Sequence, residues 1–470
     1  MSLKAKGMNR RVFFTSSTKA MATVAAGSLV TNADLEAISG NVNTNSQPSE
    51  LKITDLRITS IRNRHILKLY TNQDICGYGE LRDGSSPTYA LMLKSRILGM
   101  NPCNVDKIFR KLKQFGFHAR QSAGPVAIEE ACWDLAGKAW GVPCWQMLGG
   151  KFRDRILVYA DTRWTEDPVE MGNRLKARMV EHGFRYLKAD IRIETLRGIE
   201  GALSYPQNGQ DPFSQGERVM HPFTGIRITE KGLKSYEDYV ATVRDIIGWE
   251  IPLASDHYGH FGVEDAIKFA QTMDQFNLAW LEDLVPWQFT DHYIRIKNSC
   301  TTPILTGEDI YLLDGFRDLI DRDAVSMIHP DPATSGGLLE TKKIGDYAMK
   351  HGISMALHMA GMPVTMFSAV HIAAATENFV AMEHHNVDDD WYGNLVTGPV
   401  KPLMQDGFVP VPNTPGLGIE LNEEAVREHM NPGTEYFGST DEWNDDKAND
   451  RLWSMYPASQ GKSRDWWEKI

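Results

Sequence analysis

IPLASD (251–256), NLAWLE (277–282) and TPILTGE (302–308) are three short apolar runs that each end on a carboxylate, Asp256, Glu282 and Glu308. The carboxylates stand 26 residues apart in both intervals, 256 to 282 and 282 to 308. That is about the length of one strand, one helix and two loops in a repeating β/α unit. The stretch therefore reads as part of a parallel barrel with one acidic side chain at the C-terminal end of each of three successive strands, on the rim where such barrels carry their chemistry. Three convergent carboxylates repel one another unless a cation shares them, and an all-oxygen set suits a hard divalent ion, most simply Mg2+. A lone acidic residue after a strand is ordinarily a helix cap or a first-turn charge. Equal spacing in three consecutive units is what favours a shared site.

Outward from this centre, strands are predicted at ILVYADT, YLKADI, PLASDH, AWLEDL, PILTGED, VSMIHPD, SMALHM and FVAMEHH, with helical segments between most of them. The expectation is an α/β fold, a modified (β/α)8 TIM-type barrel over 156–400. Before it, LKITDLRITSIRN, HILKLYTN and CGYGELRDG alternate as a three-stranded meander. Helical spacing follows over 91–115 and 125–140, so 51–155 reads as an α+β capping domain. The Gly/Pro/Gln-rich stretch 191–232 lacks periodicity and is expected to be a long loop acting as a lid. Within 401–470, DGFVPVPNTPGLGIEL reads as a return to the cap, followed by an acidic, Trp-rich tail that packs on the surface or on another copy. Residues 1–50 place Arg10 and Arg11 before a weakly apolar Ala/Thr/Ser-rich stretch, which looks like a twin-arginine export signal. A periplasmic destination is the expectation, with a disordered tail on a cytoplasmic protein as the alternative.

The 470 residues, 42% hydrophobic and 24% charged, can bury a large core and leave room for a second domain beside a barrel. A net charge of −11 offers no basic surface, and no zinc-finger or phosphate-cradling motif is present, so nucleic acid is excluded as a partner. No run has the length of a membrane span. Cys76, Cys103, Cys132, Cys144 and Cys300 are scattered without CxxC spacing, which indicates neither a disulfide framework nor a zinc site.

Two further residues belong on the rim. Asp331 follows SMIHP and His358 follows SMAL, at the ends of neighbouring strands. A carboxylate beside an imidazole fixes its tautomer and raises its basicity, which makes a general base next to a metal. A lone buried histidine is more often a satisfied core residue; the acidic triad on adjacent strands favours the base.

The order and spacing of Lys188, Asp256, Glu282, Glu308, Asp331, His358 and Glu383 resemble the mandelate racemase subgroup of the enolase superfamily. The likeness extends to SGGLLETKKIGDYA after Asp331, to AIEEACWDLAGKAWGVPCWQMLGG at the junction of cap and barrel, and to PGLGIEL near the C-terminus. It covers roughly 51–425, apart from the loop after Asp190. What the resemblance implies is abstraction of the proton α to a carboxylate in a small acid-sugar substrate. Mg2+ would be held by Asp256, Glu282 and Glu308, and His358 paired with Asp331 would take the proton. Glu383 falls where the family places an acid on the other substrate carboxylate oxygen, Lys188 could polarise that carboxylate, and a homo-oligomer is usual.

One departure bears on the reaction. Family racemases carry lysine at both outer positions of the second strand, whereas this chain has Lys188-Ala189-Asp190. Asp190 cannot easily serve as a base on the opposite face, so dehydration of an acid sugar to a 2-keto-3-deoxy acid is favoured. An epimerase, racemase or lactone cycloisomerase using the same enolate is the alternative, and a non-catalytic sugar-acid binding protein a remote one. Several family dehydratases take their acid from a histidine two residues after the first metal ligand, where this chain has Tyr258 flanked by His257 and His260. Tyr258, His257 and His358 acting twice all stand as candidates. The 191–232 insertion resembles in position the long loop of mannonate dehydratases, with Tyr205 and Arg218 as possible counterparts of that loop's Tyr/Arg pair.

Overall fold

Eight parallel strands close on themselves, as the alternation of apolar runs predicts. The computed structural model describes residues 47–204, 226–257, 259, 261–399 and 401–446. The cap is an antiparallel meander of β1 (Ile53–Ile61), β2 (Arg64–Thr71) and β3 (Cys76–Leu81). The barrel takes β4 (Arg155–Ala160) and β5 (Leu187–Asp190). After a small hairpin of β6 (Leu203–Ser204) and β7 (Arg227–Ile228), it continues through β8 (Leu253–Asp256), β9 (Leu281–Glu282), β10 (Ile304–Thr306), β11 (Met327–Ile328), β12 (Ser354–Leu357) and β13 (Phe379–His384). Closure is the parallel pairing of β13 with β4, Met382 opposite Val158.

Strand periodicity then decides what lies inside. Tyr159, Tyr186, Ala254, Trp280, Leu305, Met327, Ala356 and Ala381, one from each barrel strand or the residue leading into it, form a buried plug. Tyr159 and Trp280 meet edge to face at 5.3 Å in it. Because side chains repeat every second residue along a strand, the next inward layer toward the C-terminal rim is Lys188, Asp256, Glu282, His329, His358 and Glu383. An apolar floor thus carries an ionisable layer directly above it. On β10 the residue two after Leu305 is Gly307, at φ +141°, where a Cβ would lie 2.7 Å from Phe316. The turn hands the inward place to Glu308.

The cap sits tightly on the barrel. The helix Ala123–Trp140 is packed so close to β3 that a Cβ at Gly79 would be 1.8 Å from the Ala127 carbonyl oxygen. Carboxylates of the cap meet N-termini of barrel helices, where unpaired N–H groups and the helix dipole favour negative charge. Glu80 accepts from the Met362 and Thr365 N–H groups at 2.6 and 3.1 Å, at the start of the helix Pro363–Ala375. Glu129 accepts from Leu338 and Leu339 at 2.9 and 3.2 Å, at the start of Gly337–Lys350.

After β14 (Val396–Thr397), the strand β15 (Phe408–Pro410) runs antiparallel on β4, and β16 (Glu420–Leu421) pairs with β14. Between them the Leu417 N–H donates to cap residue Asp134 at 2.9 Å. Residues 431–446 lie along the cap, with the Asn431 N–H on the Ser60 carbonyl at 3.0 Å and Lys94 Nζ 2.9 Å from Thr440 Oγ1. The stretch expected as one long loop contains a turn of helix (Glu194–Arg197) and the β6/β7 hairpin. It ends inside the helix Glu230–Ile247, whose first turn is capped by Thr229 accepting from Gly232 at 3.1 Å. Thr, then Glu, supplied that start signal. Residues 205–225, the export-like segment, Tyr258, His260 and the end of the Trp-rich tail lie outside the described residues. All five cysteines are free thiols. Among the described residues no helix is long and apolar enough to cross a membrane.

Candidate active site

His358 follows β12 and is buried, and its Nδ1 lies 2.5 Å from Asp331 Oδ2. Asp331 is itself fixed: it caps the short helix Pro332–Ser335, its Oδ1 accepting from the Ala333 N–H at 2.6 Å. An ionised carboxylate only accepts, so Nδ1 carries the proton and Nε2 is the working nitrogen. Nε2 lies 3.1 Å from Glu308 Oε2 and 3.8 Å from Glu383 Oε2. Burial alone pulls the His358 pKa down, but Glu308, Glu383 and Asp331 together outweigh it and push it up to about 10.

Lys188, on β5, stands amid carboxylates. Its Nζ is 2.7 Å from Glu383 Oε1, 3.2 Å from Glu282 Oε2 and 3.6 Å from Asp256 Oδ2. Burial opposes its charge, yet Glu282, Glu383 and Asp256 overcome this and hold its pKa well above the usual lysine value. The same ammonium lowers Glu383 far below the ordinary carboxylate range, against the upward push of burial.

Glu282, Asp283 and Glu308 bring carboxylate oxygens within 4.8 Å of one another. Asp256 is not in that tight group; its oxygen is turned to Lys188. Asp283 sits at φ +47° after β9 and accepts from Thr306 Oγ1 at 2.5 Å. Burial, then the charge of Glu282, drives both Asp256 and Asp283 well above the ordinary aspartate pKa. Such mutual repulsion among hard oxygen donors is what a bound divalent cation relieves, so the donor set fits Mg2+ or a similar ion.

The other residues expected at the site fall differently. Asp190, at the end of β5, accepts from Arg192 Nε at 3.0 Å and is paired rather than open. His257 is fully buried, stacked between Phe261 and Phe269 at 5.2 and 4.6 Å, with Nδ1–H on the Ile191 carbonyl at 2.8 Å. Its ring belongs to the aromatic packing behind the barrel, away from the carboxylate group. Tyr258, Tyr205 and Arg218 lie outside the described residues.

Besides Asp283, the structure brings Arg82, His329, His385 and Asp161 to the site. Arg82, just past β3 and only 3% exposed, donates to the Glu308 carbonyl at 2.8 Å and lies 3.3 Å from both Glu308 Oε1 and Asp331 Oδ2. His329 is held between Tyr159 Oη at 2.8 Å and Glu282 Oε1 at 2.9 Å. His385 has Nε2 3.3 Å from Glu383 Oε1 and Nδ1 3.4 Å from Asp161 Oδ2. Period-two counting from Met327, Glu383 and Tyr159 would have found His329, His385 and Asp161. Nothing local marks Arg82.

Comparison with known proteins agrees with this fold. Residues 36–149 match the profile of the mandelate racemase / muconate lactonizing enzyme N-terminal domain, and 170–425 match the enolase C-terminal domain-like profile. A D-xylonate dehydratase of Haloferax volcanii is 29% identical over 403 residues, covering 83% of this chain and 91% of its own. A D-mannonate dehydratase of Caulobacter vibrioides is 26% identical, covering 81% and 95%. A crystal structure of a mandelate racemase/muconate lactonizing enzyme-like protein from Rubrobacter xylanophilus superposes with a TM-score of 0.70 at 30% identity, covering 83% of this chain and all of that one (100%).

Proposed function

The chain belongs to the mandelate racemase / muconate lactonizing enzyme family of enolase-like proteins, and on that premise we propose that it dehydrates an acid sugar to a 2-keto-3-deoxy acid. The observation that carries this reading is the His358–Asp331 pair, whose Nε2 faces the acidic group at 3.1 Å from Glu308. Glu282 and Glu308, whose oxygens are already grouped, and Asp256 on the neighbouring strand are the residues that would hold Mg2+, with Asp283 tied back to Thr306 beside them. When bound, the ion supplies positive charge against which the substrate carboxylate can accumulate electrons.

The rest is done by the chain itself. Lys188 offers a second, immobile cation to the same carboxylate. Glu383, 2.7 Å from Lys188 Nζ, holds that ammonium in place beside the bound acid. With a cation countering Glu308 and Glu383, whose charges otherwise keep Nε2 protonated, His358 Nε2 removes the α-proton, and Asp331 holds the imidazole in the tautomer that can do so and then stabilises its charge. Arg192 occupies Asp190, so the second strand presents no free base on the far face, which supports elimination over racemisation. Names of relatives suggest the substrate class: D-xylonate and D-mannonate are the first acids to try. The test is to incubate the protein with Mg2+ and each acid in D2O and follow both keto-acid formation and deuterium at the α-carbon. Keto acid is expected. Deuterium incorporation or an epimerised acid with no keto acid would replace dehydration by isomerisation.

A further inference from the structure

A dehydration needs two proton movements on neighbouring carbons, and His358 accounts for one. Among the described residues the site holds a second imidazole–carboxylate pair. His385 follows β13 and Asp161 follows β4, and these strands are hydrogen-bonded in register, His384 opposite Ala160, with the Asp161 N–H on the His384 carbonyl at 3.1 Å. The backbone therefore sets the two side chains next to each other. His385 Nδ1 meets Asp161 Oδ2 at 3.4 Å, and Nε2 points to Glu383 Oε1 at 3.3 Å. That Nε2 is buried and makes no hydrogen bond of good geometry. His358 and His385 face one another with ring centroids 5.6 Å apart, and ligand atoms of His358, Glu383 and His385 lie within 4.8 Å of one another. Two nitrogens at that separation can each come within hydrogen-bonding reach of groups on adjacent carbons.

We propose that His385, oriented by Asp161, is the proton donor to the leaving 3-hydroxyl. This deepens the dehydratase reading above and rests on it. His358 takes the C2 proton, and the C2–H electron pair moves into the enediolate. That pair then forms the C2–C3 double bond as the C3–O bond breaks, and the departing oxygen takes the proton of His385 Nε2–H to leave as water. The enol so formed becomes the 2-keto-3-deoxy acid by protonation at C3, for which the proton on His358 is at hand, and by loss of the C2 hydroxyl proton, which restores the proton that His385 gave up. No oxidant or further reactant enters. Asp161 and Glu383 both raise the His385 pKa against the opposing effect of burial, so that a donor proton is retained. Asp161 touches no reacting atom and is a positioning residue.

The experiment compares wild type with His385→Asn and His385→Gln, using whichever of D-xylonate and D-mannonate the wild type dehydrates, and its 3-chloro-3-deoxy analogue. Expected is a loss of about 100-fold or more in water elimination, as for a general acid. α-Proton exchange in D2O should persist, and chloride, which needs no proton to leave, should be eliminated at near wild-type rate. Asp161→Asn should lower kcat for water elimination and shift its pH profile while leaving chloride elimination unchanged. Equal impairment with hydroxyl and chloride leaving groups, or unimpaired water elimination, in folded variants would overturn the assignment to His385. If the wild type itself neither exchanges the α-proton nor makes keto acid, the dehydratase reading fails instead.

Discussion

The Arg82 guanidinium of the cap lies 3.3 Å from Asp331 Oδ2 of the barrel, and Asp331 in turn holds His358 Nδ1 at 2.5 Å. The cap is thus wired to the candidate base through one buried cation. Arg82→Ala should strip Glu308 and Asp331 of their countercharge and destabilise the protein by ~3–5 kcal/mol, the usual result of breaking a buried charge network from one side. Arg82→Lys should not restore activity, since one ammonium cannot span the fork of contacts. Chemical denaturation and kcat/KM measurements check both.

Lys188 is surrounded by Glu383, Glu282 and Asp256. Lys188→Met keeps the volume and removes the charge. Divalent-ion affinity should rise, because the carboxylates then lack their resident cation, while kcat/KM falls by about 10²-fold or more with the loss of charge stabilisation. Calorimetric Mg2+ titration that shows weaker binding would contradict this.

Asp256 and Asp283 make different claims on the ion. Asp283 is already engaged by Thr306 Oγ1 at 2.5 Å, whereas Asp256 Oδ2 lies 3.6 Å from Lys188 Nζ, a cation that a bound ion would replace. Asp256→Asn should therefore cost more Mg2+ affinity than Asp283→Asn, and Glu308→Ala should abolish both binding and turnover. The reverse order in a metal titration would transfer the ligand role to Asp283.

His371 gives a pH test remote from the site. Its ring is fully buried, Nδ1 accepts from the Trp145 N–H at 3.2 Å, and burial holds its pKa down at about 4 against an ordinary 6.5. The folded state disfavours the protonated ring, so stability is complete above pH 6.5 and is lost as pH falls toward 4. The loss is ~1.4 kcal/mol per pH unit, or roughly 3 kcal/mol in all. His371→Gln should flatten the wild-type decline over that window in denaturant melts at pH 7, 5.5 and 4.5.

The barrel was legible because parallel strands buried on both faces read as apolar runs, and the even spacing of Asp256, Glu282 and Glu308 marked their ends. A strand as short as Leu281–Glu282 stood out through that repeat, and Met327–Ile328 through the alternation of apolar runs with helical segments. His358 and Asp331 were legible for the same reason, being rim residues of adjacent strands. Arg82 was not, because its meaning depends on how the cap docks, a long-range relation with no local periodicity. His257 looked catalytic from its place after Asp256, but its environment of Phe261 and Phe269 arises from helix packing, which adjacency along the chain does not reveal.

The most direct test of enolisation by the His358–Asp331 pair is α-proton exchange in D2O by His358→Asn with Mg2+ present. Exchange should fall by about 10²-fold or more while calorimetric Mg2+ binding stays near that of the wild type. Exchange at the wild-type rate in a folded, Mg2+-binding variant would contradict the assignment and place the base elsewhere.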